Sequence, residues 1–170
     1  IGYNSGLAVT TGVNNTIIGG LAGDSITTGS QNTALGRSAL GANTTASNNT
    51  AIGNNAMGSN TTGTSNTAVG FSALDANTTA HNNTAIGYDA LTTNTTGTAN
   101  TAVGQGALEL NSTADNNTAV GKDALTTNGT GTSNVAVGAF ALDANDGGSF
   151  NTGIGHHALG ANVNGTFFFF

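Results

Sequence analysis

The chain has no cysteine, no proline and no tryptophan. Without cysteine it can form neither disulfides nor thiolate metal sites, and it is compatible with an extracellular bacterial protein that folds without redox chemistry. Charge is nearly as scarce. Lys and Arg total 2 and Asp and Glu total 8, a net charge of −6. Such a surface has no means of gripping a phosphate backbone, which argues against a nucleic-acid partner. No apolar run is long enough to span a bilayer. The chain starts at Ile1-Gly2 with no signal peptide, already in phase with the repeat below, as expected of a segment of something longer. Disorder is disfavoured, because 36% of residues are hydrophobic and they recur at a fixed phase.

What is abundant is glycine at a constant interval. Gly2, Gly19, Gly36, Gly53, Gly70, Gly87, Gly104, Gly121, Gly138 and Gly155 are each 17 residues apart. Ten such units account for all 170 residues. A unit this short cannot hold both a helix and a strand, so the chain is expected to wind into stacked coils.

The other columns keep the same phase. A representative unit is NTAVGFSALDANTTAHN, from Asn66 to Asn82. An Asn column runs from Asn32 to Asn151, followed by an Ala column and then by an aliphatic column that includes Val103 and Val120. Past the glycine come a second Ala column and a Leu column that includes Leu108 and Leu125, with Met57 as its exception. A second Asn column passes through Asn43, Asn60, Asn77, Asn94, Asn111 and Asn128 and ends at Asn162. A weaker two-unit rhythm alternates Thr-Gly-Thr (62–64, 96–98, 130–132) with Thr-Ala (45–46, 79–80, 113–114).

Thr-Ala-Val-Gly is β-prone, and its glycine permits a sharp bend. Ala-Leu is expected to open a second short extended stretch, and Asn-Thr-Thr to make the return turn. The reading is an all-β parallel solenoid, or β-roll, of ten 17-residue coils. Identical Asn side chains can bond up their column and satisfy turn amides without charge. If side chains alternate strictly, Val103, Val120, Leu108 and Leu125 fill the interior, and a small-residue face is left to meet water or another chain. Two aliphatics per coil are few for 17 ordered residues, so side-by-side association of identical chains is expected. Three segments follow: 1–31 as two degenerate coils, 32–166 as regular repeats, and an anomalous Phe-rich end at 167–170.

The unit NTAVGxxALxxNTT resembles the head repeats of trimeric autotransporter adhesins, and still more the repeats of bacterial and phage tail-fibre proteins. The resemblance covers Asn32 to Asn162 well and the first two units loosely. It implies a left-handed roll, a homotrimeric fibre on a cell or virion surface, and a mechanical role in projecting a binding tip. A glycan or other cell-surface receptor is the implied external partner.

The positions after each glycine vary most and hold both basic residues. Phe71, Tyr88, Lys122 and His156 are therefore candidate surface contacts. Metal is disfavoured: His156-His157 lacks a third ligand, and the Asp143–Gly148 turn lacks a closing bidentate Glu. No catalytic constellation is apparent and no cofactor is implied, so an enzyme is not expected. Asn-Thr-Thr sequons, as at Asn60 and Asn94, use the residues the turn itself needs. The rival to a shaft is a direct binder, in particular an ice-binding solenoid built on Thr44-Thr45, Thr61-Thr62, Thr78-Thr79 and Thr95-Thr96. Ser112 and Gly129 interrupt that file.

Overall fold

The computed structural model describes residues 1–167. It contains nine strands of three residues each: β1 (Thr16–Ile18), β2 (Thr33–Leu35), β3 (Thr50–Ile52), β4 (Thr67–Val69), β5 (Thr84–Ile86), β6 (Thr101–Val103), β7 (Thr118–Val120), β8 (Val135–Val137) and β9 (Thr152–Ile154). They form one parallel sheet in chain order. Each residue pairs with the one 17 further along, Thr67 with Thr84 and Ala68 with Ala85. There is no helix among the described residues. The chain is an all-β parallel solenoid.

The facing of each strand decides what lies inside, and it reverses one expectation. In β6 and β7 the buried residues are Ala102 and Ala119, both 0% exposed, and Val120 is 36% exposed. Val103 is only half-buried. Val103 and Val120 therefore belong to the outer face, and the small residue of each strand packs inward. The reason is room. Each coil interior already holds the Ala and Leu that follow the glycine, as with Ala107 and Leu108, both 0% exposed.

The Ala-Leu pair is not a second strand, which is why both of its members point inward. Leu40, Leu74, Leu91, Leu108 and Leu125 all adopt positive φ between 51° and 55°. That left-handed conformation breaks the alternation an extended chain would impose. The residue two before each Leu does the same, as at Ser72 (φ 50°) and Asp89 (φ 52°). Successive tight turns result, closed by bonds such as Asn77 N–H to Leu74 C=O, 3.3 Å. Between those bonds the turns still pair coil to coil: Leu74 N–H donates to Ala90 C=O and Ser72 N–H to Asn54 C=O, each 3.0 Å. Neighbouring coils are thus laddered well beyond the three-residue strands, so buried backbone groups find partners without a wide sheet.

Residues 15–31 keep the coil by exchanging volumes. Ile17 occupies the Ala position of the strand, Gly23 the Leu position and Ile26 the inner Asn position. A side chain on Gly23 would run into the ends of Ile26 and Ile17. Two large residues thus fill the space that a missing Leu leaves, as a densely packed interior requires.

Candidate functional site

The glycine column is dictated by its neighbour in the next coil. Gly70, Gly87 and Gly104 have φ of 140°, 142° and 137°. A Cβ on any of them would overlap the backbone carbonyl of the next glycine in the column. Gly36, Gly53, Gly121 and Gly138 are held in the same way, whereas Gly155 has no such overlap. Conformation and contact both demand glycine here.

The two Asn columns form an amide core beside the hydrocarbon one. Asn60, Asn77, Asn94, Asn111 and Asn128 are each 0% exposed. Asn77 Nδ2 donates to Asn60 Oδ1 at 2.7 Å, Asn111 to Asn94 at 3.0 Å and Asn128 to Asn111 at 2.9 Å. The other Nδ2 proton reaches the carbonyl three residues on, as from Asn94 to Gly97 at 2.9 Å. Asn43 makes that second bond too, to Ala46 at 3.1 Å, and its Oδ1 receives Asn60. In the strand-side column, Asn83 Nδ2 donates to the same Gly97 carbonyl at 2.8 Å, and its Oδ1 accepts the Asn100 backbone N–H at 2.9 Å. Two amides from one coil therefore clamp one carbonyl. Asn15 joins this column with a 2.8 Å bond to Gly29 C=O, one coil before the clear repeats begin.

The two-coil rhythm has a counterpart in hydrogen bonding, of a kind also made in the first coils by Val13 N–H to Ser30 Oγ (3.1 Å) and Ser30 N–H to Ser47 Oγ (2.9 Å). In coils carrying Thr-Gly-Thr, the backbone N–H of the second Thr is received by a side chain from the next coil. Thr64 donates to His81 Nδ1 (2.9 Å), Thr98 to Asp115 Oδ1 (2.6 Å) and Thr132 to Ser149 Oγ (2.9 Å). His, Asp and Ser share one ability at this place, which is to accept.

The two threonines of each return turn differ in role. The hydroxyls of Thr44, Thr61, Thr78 and Thr95 donate to the equivalent carbonyl of the next coil, at 2.9–3.4 Å. Their neighbours point outward. Thr11, Thr28, Thr45, Thr62, Thr79, Thr96, Thr113 and Thr130 are all exposed, and none of these hydroxyls is bonded among the described residues. Ser112 and Gly129 fall in the backbone-bonded file and leave the exposed one unbroken over those eight coils.

The variable positions form a ladder of their own. Phe71 and Tyr88 are 48% and 53% exposed, with rings stacked 5.3 Å apart and nearly parallel. Lys122 pairs with Asp123 at 3.2 Å and lies 5.0 Å over the Phe140 ring. His156 and His157 lie in a turn, and their rings meet edge to face at 4.3 Å. In the 143–148 turn Asn145 is committed to the amide ladder at 2.9 Å from both Asn128 Oδ1 and Gly148 C=O. Among the described residues no three His, Asp or Glu side chains are grouped to hold a metal, and no pocket opens. Burial, with a smaller contribution from the Asp89 carboxylate, pushes the Asp75 carboxyl above its ordinary value, and a Gly58 backbone hydrogen bond opposes the shift. Phe167 stacks on Phe150 at 5.3 Å, and the remainder of the Phe-rich end, 168–170, lies outside the described residues.

No family model, no curated protein and no solved structure matches the chain.

Proposed function

We propose that this chain is a rod-forming segment of an extracellular fibre, without enzymatic activity, in which identical chains associate side by side as a trimer of left-handed rolls. The observation that carries this reading is the aliphatic column on the outer face of the sheet. Leu35 is 42% exposed, Ile86 40%, Val120 36%, Val137 37% and Ile154 58%, all at one place in their strands, and Ile52, Val69 and Val103 hold the same place half-buried in the strands between. A continuous apolar stripe of this length on a monomer marks an association surface. Two or more copies packing through it would remove it from water, and the repeat would keep them in register along the whole rod. The coil-to-coil ladder, continuous through nine strands, suits a part that transmits force and holds a tip away from a surface.

Sedimentation of the wild type and of an Ile86→Lys/Val120→Lys variant tests the association. The wild type is expected to sediment as a trimer and the variant as a folded monomer with an unchanged β-type circular dichroism spectrum. A wild type that stays monomeric at micromolar concentration overturns the reading. In the full-length fibre, Tyr88→Ala and Lys122→Ala should leave attachment unchanged if this segment is shaft only. Loss of attachment with the rod still folded would place receptor contact here.

A further inference from the structure

We infer that the exposed threonine file from Thr11 to Thr130 is a binding surface for crystalline water, that is, for ice. Ice offers a partner no net charge and no group that fills a pocket. It offers a repeat. A protein surface recognises it only by holding many hydroxyl and methyl groups at fixed positions on a matching period. The file has those properties. Its eight threonines are exposed, one per coil, with no interruption and no charged residue among them. The parallel register sets them about 4.8 Å apart, close to an oxygen repeat of hexagonal ice, over a length of about 34 Å. Among the described residues their hydroxyls make no bond, in contrast to the adjacent file, whose hydroxyls are spent on the next coil's carbonyls.

Rigidity comes from beneath. From Thr28 onward the residue after each of these threonines is a buried Gly or Ala, as at Gly29, Gly63, Ala80 and Gly97. From Ala46 onward its carbonyl is gripped by two Asn amides, at 2.9 and 3.2 Å for Ala80 and at 2.8 and 2.9 Å for Gly97, and the Gly29 carbonyl accepts from Asn15 at 2.8 Å. The β-branch restricts χ1 of each threonine, so little rotamer freedom is left to lose on adsorption. Water held between such fixed groups costs little further entropy. The file and the outer aliphatic column are different columns of the coil, so this inference does not depend on the trimer.

The test is growth of a single ice crystal in a solution of the protein, read as thermal hysteresis and as adsorption of fluorescently labelled protein to the ice. The wild type is expected to shape the crystal and give measurable hysteresis. Thr62→Lys/Thr79→Lys should lose most of that activity, and Gln105→Lys, exposed in the variable column, should keep it. Should the double Lys variant fail to fold, Thr62→Ala/Thr79→Ala/Thr96→Ala removes the same groups without adding charge, and the same loss is expected. Absence of crystal shaping and hysteresis in the folded wild type overturns the inference, as does an equal loss in Gln105→Lys. Sedimentation of the same samples reports on association separately, so either idea can fail alone.

Discussion

At the scale of the residue, the buried amide is the most exacting element of this protein. Asn94 uses both Nδ2 protons, toward Asn77 Oδ1 at 3.3 Å and Gly97 C=O at 2.9 Å. Asn94→Asp replaces that donor with a carboxylate oxygen facing two acceptors in a dry site. The expected loss is about 3 kcal/mol or more near neutral pH. The introduced carboxyl would have a raised folded pKa, so the penalty should shrink as the pH falls through that raised value and be gone once the pH lies below the ordinary carboxylate range. Denaturant melts at pH 7 and pH 3 check both statements. Asp75 obeys the same sign naturally. Its folded carboxyl stands above 3.8, chiefly because it is partly buried, so the folded state holds its proton more readily than the unfolded state does. Its contribution to stability is greatest in acid and declines as pH rises through the raised value. Asp75→Asn should therefore melt higher than the wild type near neutral pH and nearly equal to it in acid, in a calorimetric pH series.

At the scale of the element, a three-residue strand sorts its side chains by size. Ala102 is fully enclosed, so Ala102→Val should cost about 1–3 kcal/mol through overpacking. The larger Val120 on the outer face is the freer position. In the folded monomer Val120→Thr should change stability by no more than about 0.5 kcal/mol. Equilibrium unfolding of the two variants decides the matter, and equal costs would mean that inner and outer faces have been confused. The turn that follows carries the large core residue. Leu108→Ala should cost about 2–5 kcal/mol, because coils above and below hold the cavity open.

At the scale of the whole molecule, stability should behave as a sum over coils and their interfaces. The two-coil rhythm adds a rule to that sum. Removing residues 66–99 places Asp115 after Thr64, which restores a donor–acceptor pair of the kind made by Thr98 and Asp115. Removing only 83–99 leaves Asp115 without its Thr98 donor and sets two Thr-Ala coils against each other. The larger deletion is therefore expected to melt at the higher temperature. A thermal melt in which the single-coil deletion is the more stable would show that the alternation weighs less than one coil and its interface.

The 17-residue period was enough to establish the solenoid, the parallel register and the Gly and Asn columns. A strict repeat forces each residue to meet its own kind in the next coil, so Gly104 and Asn94 announce their neighbours without any knowledge of the coil's shape. The direction of each side chain was not legible in this way. Alternation along an extended chain predicts Val103 inside and separates Ala107 from Leu108, yet the positive φ of Leu108, 53°, turns both of the latter inward and fills the interior. The valine is left outside. Likewise Thr61 and Thr62 are indistinguishable as letters, and only the closed turn gives one hydroxyl a carbonyl and the other to solvent. Periodicity specifies which residues stack; the backbone path within one coil, a tertiary property, specifies whether a stacked column is core or surface.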